Sequence, residues 1–226
     1  MLGTVVNTVA ILIGGGIGLL LKKGLSKRVS EGIMTGIGLV VMYIGISGSL
    51  EGKKTLVAVL SIAIGGALGS WWNIDGALER LGDYAAKKMG GSEGTFAAGF
   101  VNATLVFCVG AMAVVGSMQS GLNGDHATLF AKALIDGISA CVFASALGAG
   151  VLLSAVSVLL YQGAITLLAG VLQPVLTEAA VAEMTCVGSL LIVAIGLNMI
   201  GVSKIKTANY LPAIFLPIVL VLIPVL

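Results

Sequence analysis

Long apolar runs separated by short polar stretches dominate this chain, and they restrict it to one kind of fold. A helix rises 1.5 Å per residue, so about 20 apolar residues cross the roughly 30 Å hydrocarbon core of a bilayer. Runs of that order recur at 2–21, 33–50, 55–71, 95–117, 128–148, 150–172, 180–201 and 208–226. Lipid offers backbone N–H and C=O groups no partner, so only helices and closed barrels can cross it. Barrel strands alternate polar and apolar residues, and stretches such as 151–160 and 216–226 do not. The composition agrees: 58% of residues are apolar and 10% charged, against about 25% charged in soluble domains. The expected class is all-α, a polytopic helical membrane protein with a single membrane domain over 1–226.

Eight crossings are expected, with seven as the alternative, because only Gly148-Ala149-Gly150 separates the fifth run from the sixth. Orientation favours eight. With the N-terminus outside, the inner loops hold nine of the twelve Lys and Arg residues, leaving Lys53, Lys54 and Lys132 outside, in keeping with the positive-inside rule. The first run has its basic residues after it, at Lys22, Lys23, Lys27 and Arg28, the reverse of a cleaved signal peptide. It reads as the first membrane helix of a multi-pass protein of the bacterial inner membrane. Between the third and fourth runs, Ile74, Leu78, Leu81 and Ala85 recur at helical spacing opposite charged residues. After Trp71-Trp72 this predicts an amphipathic helix over 73–90 on the cytoplasmic membrane surface, or a solvated connector.

A weak internal repeat is also visible. Val6-Asn7-Thr8 and Val101-Asn102-Ala103 each open a glycine-interrupted helix, followed by Gly24-Leu25 and Gly121-Leu122 and then by Thr35-Gly36-Ile37 and Asp136-Gly137-Ile138. Units 1–72 and 95–172 would each make three crossings and so be inverted relative to each other, an arrangement common in secondary transporters. The pair 180–226 would follow.

Glycines four apart, such as Gly14 and Gly18 or Gly65 and Gly69, line one helix face and let backbones approach closely. That face would also permit a homo-oligomer. The consecutive glycines at Gly14-Gly15-Gly16 and Gly65-Gly66 carry a sharper expectation, since each weakens a helix by about 1 kcal/mol relative to alanine. Breaks there would free carbonyl oxygens for a small cation, which makes Gly15 and Gly65 candidate site positions.

Asp136 is the one carboxylate placed well inside a membrane run, where it costs about 2.5–3.5 kcal/mol and so faces protein or water. Its structural alternative is a pair with Lys132, one turn earlier. Asn7, Asn102 and Asn198 lie in apolar runs with Thr104 nearby, either as interhelical hydrogen bonders or as oxygen ligands for a hard cation. Asp136 with Asn102 and Asn7 is the most economical such set. Glu178 and Glu183 read as interfacial charges.

No enzyme signature emerges. His126, the only histidine, has no nucleophile arranged with it, and there is no phosphate-binding or dinucleotide motif. Cys108, Cys141 and Cys186 form no metal or redox motif and read as small packing residues. No cofactor is expected, and a dispersed net charge of +2 suggests no nucleic-acid partner.

The opening Met-Leu-Gly-Thr-Val-Val-Asn-Thr with Gly14-Gly15-Gly16-Ile17-Gly18, and then Gly65-Gly66-Ala67-Leu68-Gly69, resembles the uncharacterised bacterial YdfK/YqgA-like membrane proteins over essentially the whole chain. The resemblance implies a multispanning inner-membrane protein of unassigned activity, with a sodium channel or pump as the activity suggested for the family. It supplies no binding residues. The resulting expectation is transport of a small ion, sodium among them, or a small solute. The alternative is a non-transporting scaffold that binds a partner or lipid.

Overall fold

The computed structural model describes residues 1–22, 27–89 and 95–223, and among them every regular element is helical. In chain order these are α1 (Leu2–Lys22), α2 (Lys27–Ser49), α3 (Thr55–Trp71), α4 (Ile74–Met89), α5 (Thr95–Cys108), α6 (Ala111–Leu122), α7 (Ala127–Leu147), α8 (Gly150–Leu167), α9 (Ala169–Leu172) and α10 (Glu178–Met199). A 3-10 segment (Thr207–Ile214) and the short α11 (Pro217–Leu220) close the chain. The Gly24-Leu25 turn lies outside the described residues, as do the side chains of Leu81 and Ala85 on α4.

Five helices are long and apolar enough to span a bilayer: α1, the Glu31–Ser49 part of α2, α7, α8 and α10. Two bent pairs, α3 with α4 (53°) and α5 with α6 (61°), raise the count to seven if each is one span. The upper count equals the seven crossings given as the alternative, and among the described residues the preferred eight is not reached. The last run opens as a 3-10 helix around Pro212, and its described helical part, Thr207–Leu220, is short. Runs five and six do separate: Gly148 takes φ +87 and turns α7 into α8. Large apolar side chains point outward along the spans, among them Ile13, Leu20, Leu39, Leu134, Ile138 and Leu160. Such continuous apolar exposure suits lipid and not water.

Neither glycine run breaks its helix. Both α1 and α3 are continuous through them, because a neighbouring backbone takes the place of the missing side chains. A Cβ at Gly14 or Gly18 would collide with the carbonyls of Gly137 and Cys141 on α7. At Gly65 and Gly69 it would meet the backbone of Ala213 and Asn209. The break falls instead at Gly110, whose φ of +120 suits glycine and is strained for other residues.

The close approaches fix the register. Gly3 lies against Leu129, Gly14 against Gly137 and Gly18 against Cys141, so α1 runs parallel to α7. Gly15 meets Leu152, Asn7 meets Gln162 and Thr4 meets Thr166, so α8 runs antiparallel to both. At the far end Lys22 Nζ donates to the Ala146 carbonyl at 3.4 Å. Elsewhere α2 packs along α10, and α3 along the 3-10 segment.

Candidate functional site

Three apolar helices each place two polar residues one turn apart: Thr4 and Asn7 on α1, Lys132 and Asp136 on α7, Gln162 and Thr166 on α8. Residues three or four apart share a helix face, and the register of α1, α7 and α8 turns all three faces toward one another. Asn7 and Gln162 are 0% exposed, Asp136 3% and Lys132 6%, so none of them faces lipid.

At the centre, Lys132 Nζ donates to Asp136 Oδ1 at 2.9 Å and lies 2.9 Å from Oδ2. Asn7 Nδ2 donates to Asp136 Oδ2 at 2.9 Å and to Gln162 Oε1 at 3.3 Å. The Thr4 and Thr166 hydroxyls lie 3.4 Å apart, nearer the Met1 end of the bundle. The carboxylate is thus held by an ammonium and an amide, and the pair is neutral overall. Two buried atoms beside it, Asn7 Oδ1 and Gln162 Nε2, have no hydrogen-bond partner among the described residues. Each such atom costs about 1–3 kcal/mol, so this cluster is an inefficient device if its only work is to hold helices together.

The break between α5 and α6 lies at the level of the pair, since Phe107 before it meets Phe143 and Gly116 after it meets Leu129, on either side of Asp136 along α7. Val109 N–H still donates to the Leu105 carbonyl, and the next backbone bond belongs to α6, from Ala113 N–H to the Gly110 carbonyl. Among the described residues no backbone bond reaches the carbonyls of Val106, Phe107 and Cys108 from beyond the break. Irregular backbone at membrane depth is tolerated where protein or a water-lined cavity surrounds it.

Asn102 does not join the cluster. It lies toward the opposite, Lys22 end, at the wall of a cavity of about 710 Å³ that also touches Met34, Leu147, Asn198, Lys206 and Asp75. Thr104 Oγ1 donates to Ser157 Oγ at 3.3 Å. Asn198 holds the loop after α10: its Oδ1 accepts from Ser203 Oγ and Ile205 N–H, and its Nδ2 donates to the Ile205 carbonyl. Gly15 faces the Leu152 side chain and Gly65 the backbone of Ala213, so both are positions of helix contact. Of the seven candidates, the structure brings Asn7 and Asp136 together in the cluster and Asn102 and Asn198 together at the cavity.

Gln162 is the residue that sequence reading missed, although it is the only amide in the run 150–172. Glu183 was read as interfacial, yet it is 2% exposed. Its Oε1 accepts from the backbone N–H groups of Lys53 and Lys54 at 2.7 and 2.8 Å, which fixes the loop between α2 and α3. Among the described residues no three His, Cys, Asp or Glu side chains are grouped to hold a metal ion.

A helical bundle with outward apolar faces and a buried, partly unsatisfied polar cluster defines the class as a polytopic membrane protein. Residues 2–222 match the family described as "Protein of unknown function (DUF554)", and the chain belongs to it. It is 32% identical over 227 residues to the "Uncharacterized membrane protein YdfK" of Bacillus subtilis (strain 168), covering 99% of this chain and 96% of that one. It is 27% identical over 223 residues to the "Uncharacterized protein YqgA" of Escherichia coli (strain K12), covering 96% and 94%. No solved structure matches the chain.

Proposed function

We propose that this protein moves a small ion, sodium among the candidates, or a small polar solute across the bacterial inner membrane, as a channel or secondary transporter. The observation that carries this reading is the buried Lys132–Asp136 pair with Asn7 and the two unpartnered amide atoms beside it. Ionisable groups inside a membrane are expensive and mark transport paths more often than packing. The broken α5–α6 span next to the pair supports it, because transporter sites are built from such discontinuous helices. Small hard cations take oxygen ligands, and Asp136, Asn7, Gln162 and the freed α5 carbonyls supply oxygens in this region. The orientation that accompanies this reading puts the N-terminus outside and the Lys-rich loops in the cytoplasm.

A scaffold role has its own support, since Asp136 is already bonded to Lys132 and Asn7, and the cavity stops short of it. Ion flux into proteoliposomes separates the two. Purified wild type is expected to carry one of sodium, potassium or protons down an imposed gradient, and Asp136→Asn to carry none. Equal behaviour of the two folded proteins in every gradient would remove Asp136 from the path and favour the scaffold.

A further inference from the structure

The cavity at the Lys22 end and the buried cluster lie on one line. Along α7, Leu147 is at the cavity wall, Asp136 is in the cluster, and Phe143 and Ala140 come between them. The spacings of four, three and four keep these residues on a single helix face, over about 16 Å at 1.5 Å per residue. Along α5 the order is the same. Val101 and Asn102 touch the cavity, Phe107 follows, and past the break Gly116 of α6 lies against Thr128 and Leu129, one turn from Lys132.

Phe107 and Phe143 meet across this line, with ring centroids 6.0 Å apart and planes inclined by 35°. Both are buried, at 0% and 5% exposure, and Ala140 behind them is 0% exposed. The cavity wall, by contrast, mixes charged and amide side chains with apolar ones and comes from the Lys22-side ends of α2, α4, α5, α7, α10 and the loop before the 3-10 segment. It is therefore the open end of the bundle interior and not a groove on its flank. The side chain of Asn102, half-buried there, makes no hydrogen bond among the described residues.

We infer that the Phe107–Phe143 pair is an apolar gate between a water-filled mouth at the Lys22 end and the Lys132–Asp136 cluster, with Asn102 the polar contact on the mouth side. An apolar constriction stops hydrated ions by excluding water, a recognised way of gating. The inference rests on the proposal that the cluster is the transport site, but it is tested by access alone, which needs no flux.

The experiment labels single cysteines with a membrane-impermeant maleimide in sealed vesicles of either orientation, after Cys108, Cys141 and Cys186 are replaced by serine. Asn102→Cys is expected to react from one side only, and Ala140→Cys to react at least tenfold more slowly from that side. Adding Phe143→Ala should bring the Ala140→Cys rate to within about threefold of the Asn102→Cys rate. Phe107→Leu and Phe143→Leu serve as milder gate variants if the alanine protein does not fold. The inference is overturned if Ala140→Cys reacts as fast as Asn102→Cys with both rings intact, or if Asn102→Cys is unreactive. It is equally overturned if loss of either ring leaves the Ala140→Cys rate unchanged in folded protein. Gated access without ion flux would keep the gate and discard the transport reading.

Discussion

Lys132 and Asp136 sit where a charge survives only in company, and this decides how their variants behave. Breaking a buried pair by removing one partner strands the other and costs about 3–5 kcal/mol, whereas replacing both by apolar groups of similar volume is often neutral or better. Lys132→Met and Asp136→Asn are therefore each expected to lower thermal stability in detergent, and Lys132→Met with Asp136→Leu to return it close to wild type. A double variant no more stable than the singles would show that the pair is worth more than its own attraction. This arrangement was half legible in the sequence. The four-residue spacing of Lys132 and Asp136 announced the pair, and Asn7 stood out as an amide in an apolar run. Asn102 stood out in the same way, and nothing local separates the two. Only the register of α1 on α7 and α8 sends one into the cluster and leaves the other at the cavity. Glu183 was misjudged for a similar reason: its partners are backbone N–H groups about 130 residues away. Bonds to a charged group contribute about 1.5–3 kcal/mol each, so Glu183→Gln should lower the melting temperature and speed hydrogen exchange at the Lys53 and Lys54 amides. Unchanged exchange at those amides would remove that role.

Among the elements, the spaced glycines marked close backbone packing correctly, and the helix break expected at the consecutive ones does not occur. Intrinsic propensity makes Gly14-Gly15-Gly16 a weak point, but propensity is a weak prior beside tertiary packing. Here α7 presses its backbone against Gly14 and Gly18 and keeps α1 helical. A valine at Gly14 or Gly18 should force α1 off α7, at an overpacking cost of about 1–3 kcal/mol or more, seen as a lower melting temperature. Valine at Gly16, where a Cβ meets nothing within 4 Å, should be tolerated. Equal losses at Gly14 and Gly16 would contradict the packing account. Gly110 had no such marker, being a lone glycine inside a run that reads as one span. Its positive φ makes Gly110→Ala cost about 1–3 kcal/mol of strain. In the transport reading it should also slow flux, by shifting the backbone at the α5–α6 break.

For the whole molecule, run length and composition identified a helical membrane bundle because the bilayer imposes its thickness on any chain that crosses it. They favoured eight crossings, one above the upper count, because hydropathy does not register the 3-10 winding of 207–214. The distribution of Lys and Arg predicts an outside N-terminus, to be checked with a reporter fused before Met1; a reporter active only in the cytoplasm would reverse the bundle. The central claim, that the buried pair exists to move a solute and not to hold helices, is tested most directly by flux through the Lys132→Met, Asp136→Leu protein in proteoliposomes, beside wild type. The account predicts a variant as stable as wild type that carries no sodium, potassium or protons, while wild type carries one of them. A variant that transports like wild type, or a wild type that moves no ion or small polar solute under any gradient, would contradict it.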